Sequence, residues 1–369
     1  MDDQARLIAA IVADPDAAHA WDVYRDWLLD RGDPRGEWIA AALASNDDHV
    51  AVKPPVEDDL LMSPRLLEQS HLLQFSWWRG FIRGASLVGA MDDPPTFKTL
   101  DALLGDPHAA LLADLELVHP ITETVPLWEA VVAREPRSIT TVIAANLGAG
   151  GARLAALPSL DTLVLVGRGA FRPTVEIIET VVELTHPSLR SLETGGDACP
   201  ALLSGRFDLP RLVHLNWGSA DDGVLTSPDS FLHRPPPSLR TLTISVGEDS
   251  LDTLTACPCF RQLRRFEWGA GGASDALAVL RERAAAFQHL DEVSVSGHPD
   301  LVADELDALR AELARALPST KLDIAWDALV ARPPPPQEPR EPREPRVYDA
   351  DSRDQHGRIS AIGRFTQSR

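Results

Sequence analysis

Pro187-Ser188-Leu189-Arg190-Ser191-Leu192-Glu193-Thr194 is the stretch on which the reading of this chain turns. Counted from Leu189, its first and fourth places are leucine and its sixth is Thr194. Close copies recur as Pro158-Ser-Leu160-Asp-Thr-Leu163-Val-Leu165, Pro210-Arg-Leu212-Val-His-Leu215-Asn-Trp217 and Pro237-Ser-Leu239-Arg-Thr-Leu242-Thr-Ile244. Looser copies begin at Ile82, Leu112, Ile139, Leu263, Leu290 and Ser319. Successive starts are separated by between 21 and 30 residues. Alternating apolar places in so short a segment specify a strand with one buried face. Between the segments the apolar period changes to three and four, which specifies helix: Thr96–Leu112, Thr174–Leu184, Ser274–Phe287 and Leu301–Leu317. Strands and helices alternating in this way predict an α/β chain with a parallel sheet.

The core L-x-x-L-x-L at a period of roughly 20–29 residues resembles that of leucine-rich-repeat proteins. The resemblance covers residues 75–330 and implies a leucine-rich-repeat solenoid, a curved parallel sheet of about ten strands with helices outside it. It implies a surface for recognition and no chemistry.

Upstream, residues 1–46 read as a small all-α module. Leu7, Ile8, Ile11 and Val12 share one face of a helix that ends at Asp14-Pro15. Trp21, Tyr24, Trp27 and Leu28 share a face of a second, stopped by Gly32. Asp33-Pro34 opens a third, with Trp38, Ile39 and Leu43 inward. The runs Leu7-Ile-Ala-Ala-Ile11, Asp14-Pro-Asp16, Tyr24-x-Asp26-Trp-Leu28 and Arg31-Gly-Asp-Pro-Arg-Gly-Glu37 resemble the repeat-companion domain found ahead of repeats in myxobacterial and planctomycete proteins. Arg25 stands where that family has a small residue and is expected to be exposed. The resemblance implies an architecture and no catalytic residues.

Residues 47–74 read as a linker followed by a capping helix over Pro64–Phe75. Trp77-Trp78 then enters the first strand, and sealing the end of the core is the expected use of both rings. Residues 331–369 begin with Pro333-Pro-Pro-Pro336 and three Glu-Pro-Arg copies, which predicts a disordered, extended tail. Ile359, Ile362 and Phe365 among Arg358, Arg364 and Arg369 form a candidate docking peptide in it.

Composition narrows the function. The chain has 35 basic and 55 acidic residues, a net charge of −20. Nucleic-acid affinity comes from neutralising phosphates with Lys and Arg, so no nucleic-acid partner is expected, and no anionic membrane surface either. The acidic start Met1-Asp-Asp-Gln and the short apolar run after it do not form a secretory signal, and no run of 18 apolar residues occurs. A cytoplasmic protein is the expectation. Cys199, Cys257 and Cys259 are too few for a disulfide scaffold, and Cys257-Pro-Cys259 lacks the further ligands zinc needs, so no metal is expected. Gly148-Ala-Gly-Gly151 and Gly269-Ala-Gly-Gly272 lack the lysine of a phosphate cradle, and no cofactor motif is present.

The places between the apolar ones face the concave side. Arg190, Glu193, His214, Asn216, Arg264, Arg265 and Glu267 are the candidate partner-binding residues, with Trp217 and Trp268 in the core beneath them. The exposed places together hold six basic and eight acidic residues, so that face is mixed and not a trap for a polycation. Shape and paired charges on such a surface suit a protein partner. Two rivals remain: an adaptor docking through the N-terminal module or the tail, and an enzyme using carboxylates such as Glu116 and Glu193.

Overall fold

The computed structural model describes residues 3–44, 61–88, 97–117, 129, 131–133, 138–144, 153–165, 183–194, 206–218, 225, 231–298 and 303–324. They belong to one compact unit, Met1–Leu329. The expected linker over 47–60, most of the run at 174–184, Gly148–Gly151, Cys199 and the tail at 331–369 lie outside the described residues. The chain is α/β, with a helical segment at its N-terminus and a mostly parallel sheet of 11 strands. Among the described residues no helix is long and apolar enough to cross a membrane.

Helices α1 (Asp3–Ala13), α2 (Ala18–Leu29) and α3 (Pro34–Ala44) follow the apolar periodicity. Gly32 ends the α2 turn at φ +66°, a conformation that costs glycine little. Asp33 caps α3, its Oδ1 accepting the Arg35 N–H at 3.0 Å. Ile8, Ile11, Trp21, Tyr24, Leu28 and Ile39 close a core that also takes in Phe81 and Leu111 from beyond the helices. Arg25 departs from expectation. It is half-buried and pairs with Asp22 at 2.7 Å and Asp26 at 2.8 Å, one turn back and next door on the same helix.

The capping helix is shorter than expected. α4 covers Pro64–Gln69, and after a single 3-10 turn the chain becomes strand β1, Leu73–Trp78, antiparallel to β2, Phe81–Leu87. Alternation of Leu73, Phe75 and Trp77 with polar neighbours favours strand there. Arg79 and Gly80 at φ 49° and 83° form the tight turn that a two-residue hairpin requires. Adjacent side chains on a strand point opposite ways, so Trp77 joins the core under the sheet and Trp78 packs edge-on against Trp21 at 5.1 Å.

A polar chain ties the helical segment to the sheet. Arg35 holds Asp33 and reaches His108 from 73 residues away. A guanidinium can only donate, so His108 Nε2 accepts and Nδ1 carries the proton, 3.0 Å from Asp106 Oδ1. Asp106 Oδ2 then accepts the Ser63 N–H at 2.7 Å.

The remaining strands are β3 (Asp114–Leu117), β4 (Thr141–Ala144), β5 (Thr162–Leu165), β6 (Glu183–Thr185), β7 (Ser191–Thr194), β8 (Arg206–Asp208), β9 (His214–Trp217), β10 (Thr241–Ser245), β11 (Arg265–Gly272), β12 (Glu292–His298) and β13 (Lys321–Ile324). All ten recurring segments form strands, in chain order and parallel from β2 onward. Their fourth places pair in one line: Ala85, Leu115, Val142, Leu163, Leu192, Leu215, Leu242, Phe266, Val293 and Leu322. From Ala113 to Arg264, the carbonyl of each segment's second residue accepts two N–H groups from the next segment, as Arg190 O does from Val213 and His214. The serine of Pro-Ser-Leu is a strap: Ser238 Oγ donates to Pro210 O and Leu212 O at 2.8 and 2.7 Å.

Helices α5 (Phe97–Leu104), α6 (Ala273–Glu282) and α7 (Ala303–Ala316) put Leu100, Leu103, Leu277, Leu280, Leu306 and Leu313 into the core shared with the strands. The described parts of these runs depart in places from what their periodicity implies. The run at Thr96–Leu112 stops at Leu104, where Gly105-Asp106-Pro107 breaks it and Asp106 caps a 3-10 turn. The run at Thr174–Leu184 ends in strand, because Glu183–Thr185 pairs with β8 as a small parallel sheet.

His186 is fully buried beside that pair. Its Nε2 donates to Leu157 O at 3.1 Å while Nδ1 accepts the Leu189 N–H at 3.0 Å, so the ring is neutral. Burial pushes its pKa below the usual histidine value, only partly offset by the backbone carbonyls. Above about pH 6.5 neither the folded nor the unfolded chain protonates this ring; below it the unfolded chain takes the proton first, and the folded chain follows only below its lowered pKa. The melting temperature is therefore expected to fall as pH drops through about 6.5, and less steeply in His186→Gln. The comparison between the two proteins is the readout, because His214 tilts both curves alike. Identical slopes would sink the assignment.

Candidate functional site

On the sheet face turned away from the core, alternate residues form two rows. One runs Gly84, Asp114, Thr141, Thr162, Ser191, His214, Thr241, Arg265, Glu292 and Lys321. The other runs Ser86, Glu116, Ile143, Val164, Glu193, Asn216, Thr243, Glu267, Ser294 and Asp323. Neighbours in a row are one strand spacing apart, about 4.8 Å.

The sequence-derived candidates divide between these rows and their margin. Glu193 sits beside Asn216, with His214 diagonal to it; Glu267 is one strand beyond Thr243. Arg190 and Arg264 are exposed just ahead of their strands, and their carbonyls serve the sheet seam. The sheet brings Arg265 and Glu267 together at 2.7 Å between Nε and Oε1. That contact is electrostatic and not a directed hydrogen bond, since Nε has no partner at hydrogen-bonding geometry. Among the described residues no ion pair joins Arg190 to Glu193.

Three participants were absent from the candidate set. Thr243 Oγ1 donates to Glu267 Oε2 at 2.8 Å. Glu292 lies between two cations, 3.4 Å from Arg265 and 2.8 Å from Lys321. The signal for them was present: Glu292 and Lys321 occupy the place equivalent to Arg265 in the next two segments. Individually, such partly exposed pairs contribute little, about 0–1 kcal/mol. Their effect is to fix the face's charge pattern.

Besides Asp114, whose carboxyl burial pushes up against the Thr141 hydroxyl and Arg83, two groups here titrate abnormally. Burial pushes the Glu193 carboxyl up, and no cation offsets it. His214 is pushed down, first by the protein packed around it and then by Arg190 and Arg265, with Asp161 and Glu267 pulling back. Both shifts favour the neutral form. Glu116 and Glu193 are three strands apart, about 14 Å. General acid–base groups must come within hydrogen-bond reach of the same reacting atoms, so these two cannot act together on one bond.

The thiols are sealed. Cys257 and Cys259 are both buried and reduced, and burial pushes both thiols upward. The fold does bring a histidine to Cys257 from 24 residues upstream, His233, with Nε2 at 3.8 Å from the sulfur. One thiol and one imidazole fall short of the four ligands zinc takes, and among the described residues no group of three potential ligands forms. Trp217 and Trp268 lie in the core, 2% and 1% exposed. Trp268 donates to Val246 O at 2.9 Å, whereas the Trp217 indole N–H has no partner.

Comparison with family models and with curated proteins finds no match for the chain.

Proposed function

We propose that this chain is a non-catalytic, cytoplasmic recognition protein that binds a protein partner on the concave strand face of a leucine-rich-repeat solenoid, behind an N-terminal repeat-companion module. The observation that carries this is the alignment of ten strands in one register. It stacks short polar side chains of mixed sign into two continuous rows facing solvent. A rigid sheet presents such rows with little ordering entropy left to lose on binding. Charged pairs on it set partner choice more than affinity. Glu193, Asn216, His214, Arg265 and Glu267 form its central polar stretch, with Arg190 and Arg264 at the margin. No cofactor or metal enters this reading.

The test is co-purification from the native host with tagged full-length protein, identifying what is retained. Replacing Glu193→Lys, His214→Asp and Arg265→Glu together is expected to reduce capture at least about tenfold. The melting temperature of the variant shows whether the fold survives. Capture that persists on a folded variant defeats the concave-face reading.

A further inference from the structure

The two halves of the strand face differ in chemistry. On β11 and β12 the carboxylates are already engaged: Glu267 by Arg265 and Thr243, Glu292 by Arg265 and Lys321. Between β3 and β7, Asp114 is engaged by the Thr141 hydroxyl and by Arg83, whereas Glu116 and Glu193 are not engaged. Among the described residues neither Glu116 nor Glu193 has an ion-pair partner. The exposed Asp114 and Asp161 lie near them, and the cations on this half are Arg83, drawn over the Trp78 ring, and Arg190 at the edge.

Between Glu116 and Glu193 in the same row stand Ile143 and Val164, both half-buried. Two adjacent β-branched aliphatics on a water-facing row, bracketed by two carboxylates without cations, are a pattern the rest of the face does not repeat. The row alongside carries Thr141, Thr162 and Ser191, small side chains that leave the aliphatic pair accessible.

We propose, resting on the concave-face reading above, that β3–β7 receive an extended segment of the protein partner of the form Lys/Arg-x-aliphatic-x-Lys/Arg, laid across the strands. In an extended chain alternate side chains share one face, and residues four apart are separated by about 14 Å. That matches the three strand spacings from Glu116 to Glu193, and the aliphatic residue midway falls over Ile143 and Val164. A helical segment places residues four apart only about 6 Å from one another and reaches one carboxylate at a time. An acidic segment meets uncompensated negative charge. Glu193, whose ionised form is disfavoured by burial, gains most from an arriving cation.

Fluorescence anisotropy with the full-length protein at low ionic strength tests this directly. The probe is labelled Gly-Ser-Arg-Thr-Val-Thr-Arg-Ser-Gly, and the comparator is the permuted Gly-Ser-Arg-Arg-Thr-Val-Thr-Ser-Gly of equal charge. The spaced peptide is expected to bind about tenfold more tightly. Glu116→Gln with Glu193→Gln should erase that preference, and Ile143→Lys should weaken the spaced peptide in an otherwise unchanged protein. Equal affinity for the two peptides, no saturable binding of either, or undiminished preference in the folded double variant would each overturn the proposal. Failure here with the native partner still lost on reversing Glu193, His214 and Arg265 removes the segment chemistry alone. Retention of that partner by the reversed protein removes the concave-face reading instead.

Discussion

Phe81→Ala is expected to destabilise the protein by about 3–5 kcal/mol, the range for truncating a buried aromatic. Phe81 opens β2, yet its ring lies in the helical segment's core, 1% exposed. It meets Trp21 edge-on at 5.7 Å and Tyr24 at 5.8 Å, and touches His108 at 6.5 Å between centroids. Removing it opens a cavity where the helices meet the sheet, with aromatic neighbours too rigid to fill it. Phe81→Leu keeps most of the volume and is expected to cost under about 1.5 kcal/mol. Denaturant titration of the three proteins measures the ordering, and a loss below about 1 kcal/mol for alanine would show that the ring does not join the two parts.

Asp106→Ala is expected to cost about 3 kcal/mol or more, because it leaves buried donors unpaired at about 1–3 kcal/mol each. The carboxylate is 4% exposed and accepts the Ser63 N–H at 2.7 Å, the His108 N–H at 2.8 Å and the His108 ring at 3.0 Å. Alanine leaves all three donors facing a dry site and releases the ring that Arg35 donates to. Burial alone would push the Asp106 carboxyl up, but the hydrogen bonds from His108 and Ser63 outweigh it and hold its pKa below the usual range. Its contribution is thus present above about pH 4 and is lost as pH falls through the lowered value. Asp106→Asn keeps the shape and should lie between the two proteins at neutral pH. Were alanine and asparagine equally stable to wild type, the polar chain from Asp33 to Ser63 would have no energetic role.

What the sequence made legible follows from range. The strand segments announce themselves because each carries its own alternating pattern and its own Pro-x-Leu entry, so ten strands and their mutual register are readable without tertiary information. β1 escaped because Leu66, Leu67, Leu72 and Leu73 imitate helical spacing, while the decisive feature is the turn at Arg79-Gly80 behind it. The His108–Arg35 contact spans 73 residues and has no local signature. On the strand face, the rows were legible but the pairings were not. Arg265 has three neighbours of opposite or polar character, and only side-chain geometry decides that it serves Glu267 and Glu292.

Because sheet order repeats chain order from β2 to β13, apart from the small side pair, every strand is hydrogen-bonded to one that was reached some 21 to 30 residues earlier. No pairing in the parallel sheet waits for a distant part of the chain, so loop-closure entropy stays small and nearly equal at each addition. Assembly can therefore proceed by accretion in either direction from any completed pair of strands. The double acceptance at carbonyls such as Arg190 O makes each added strand a docking template for the next. A chain emerging slowly, N-terminus first, would carry its finished edge with it.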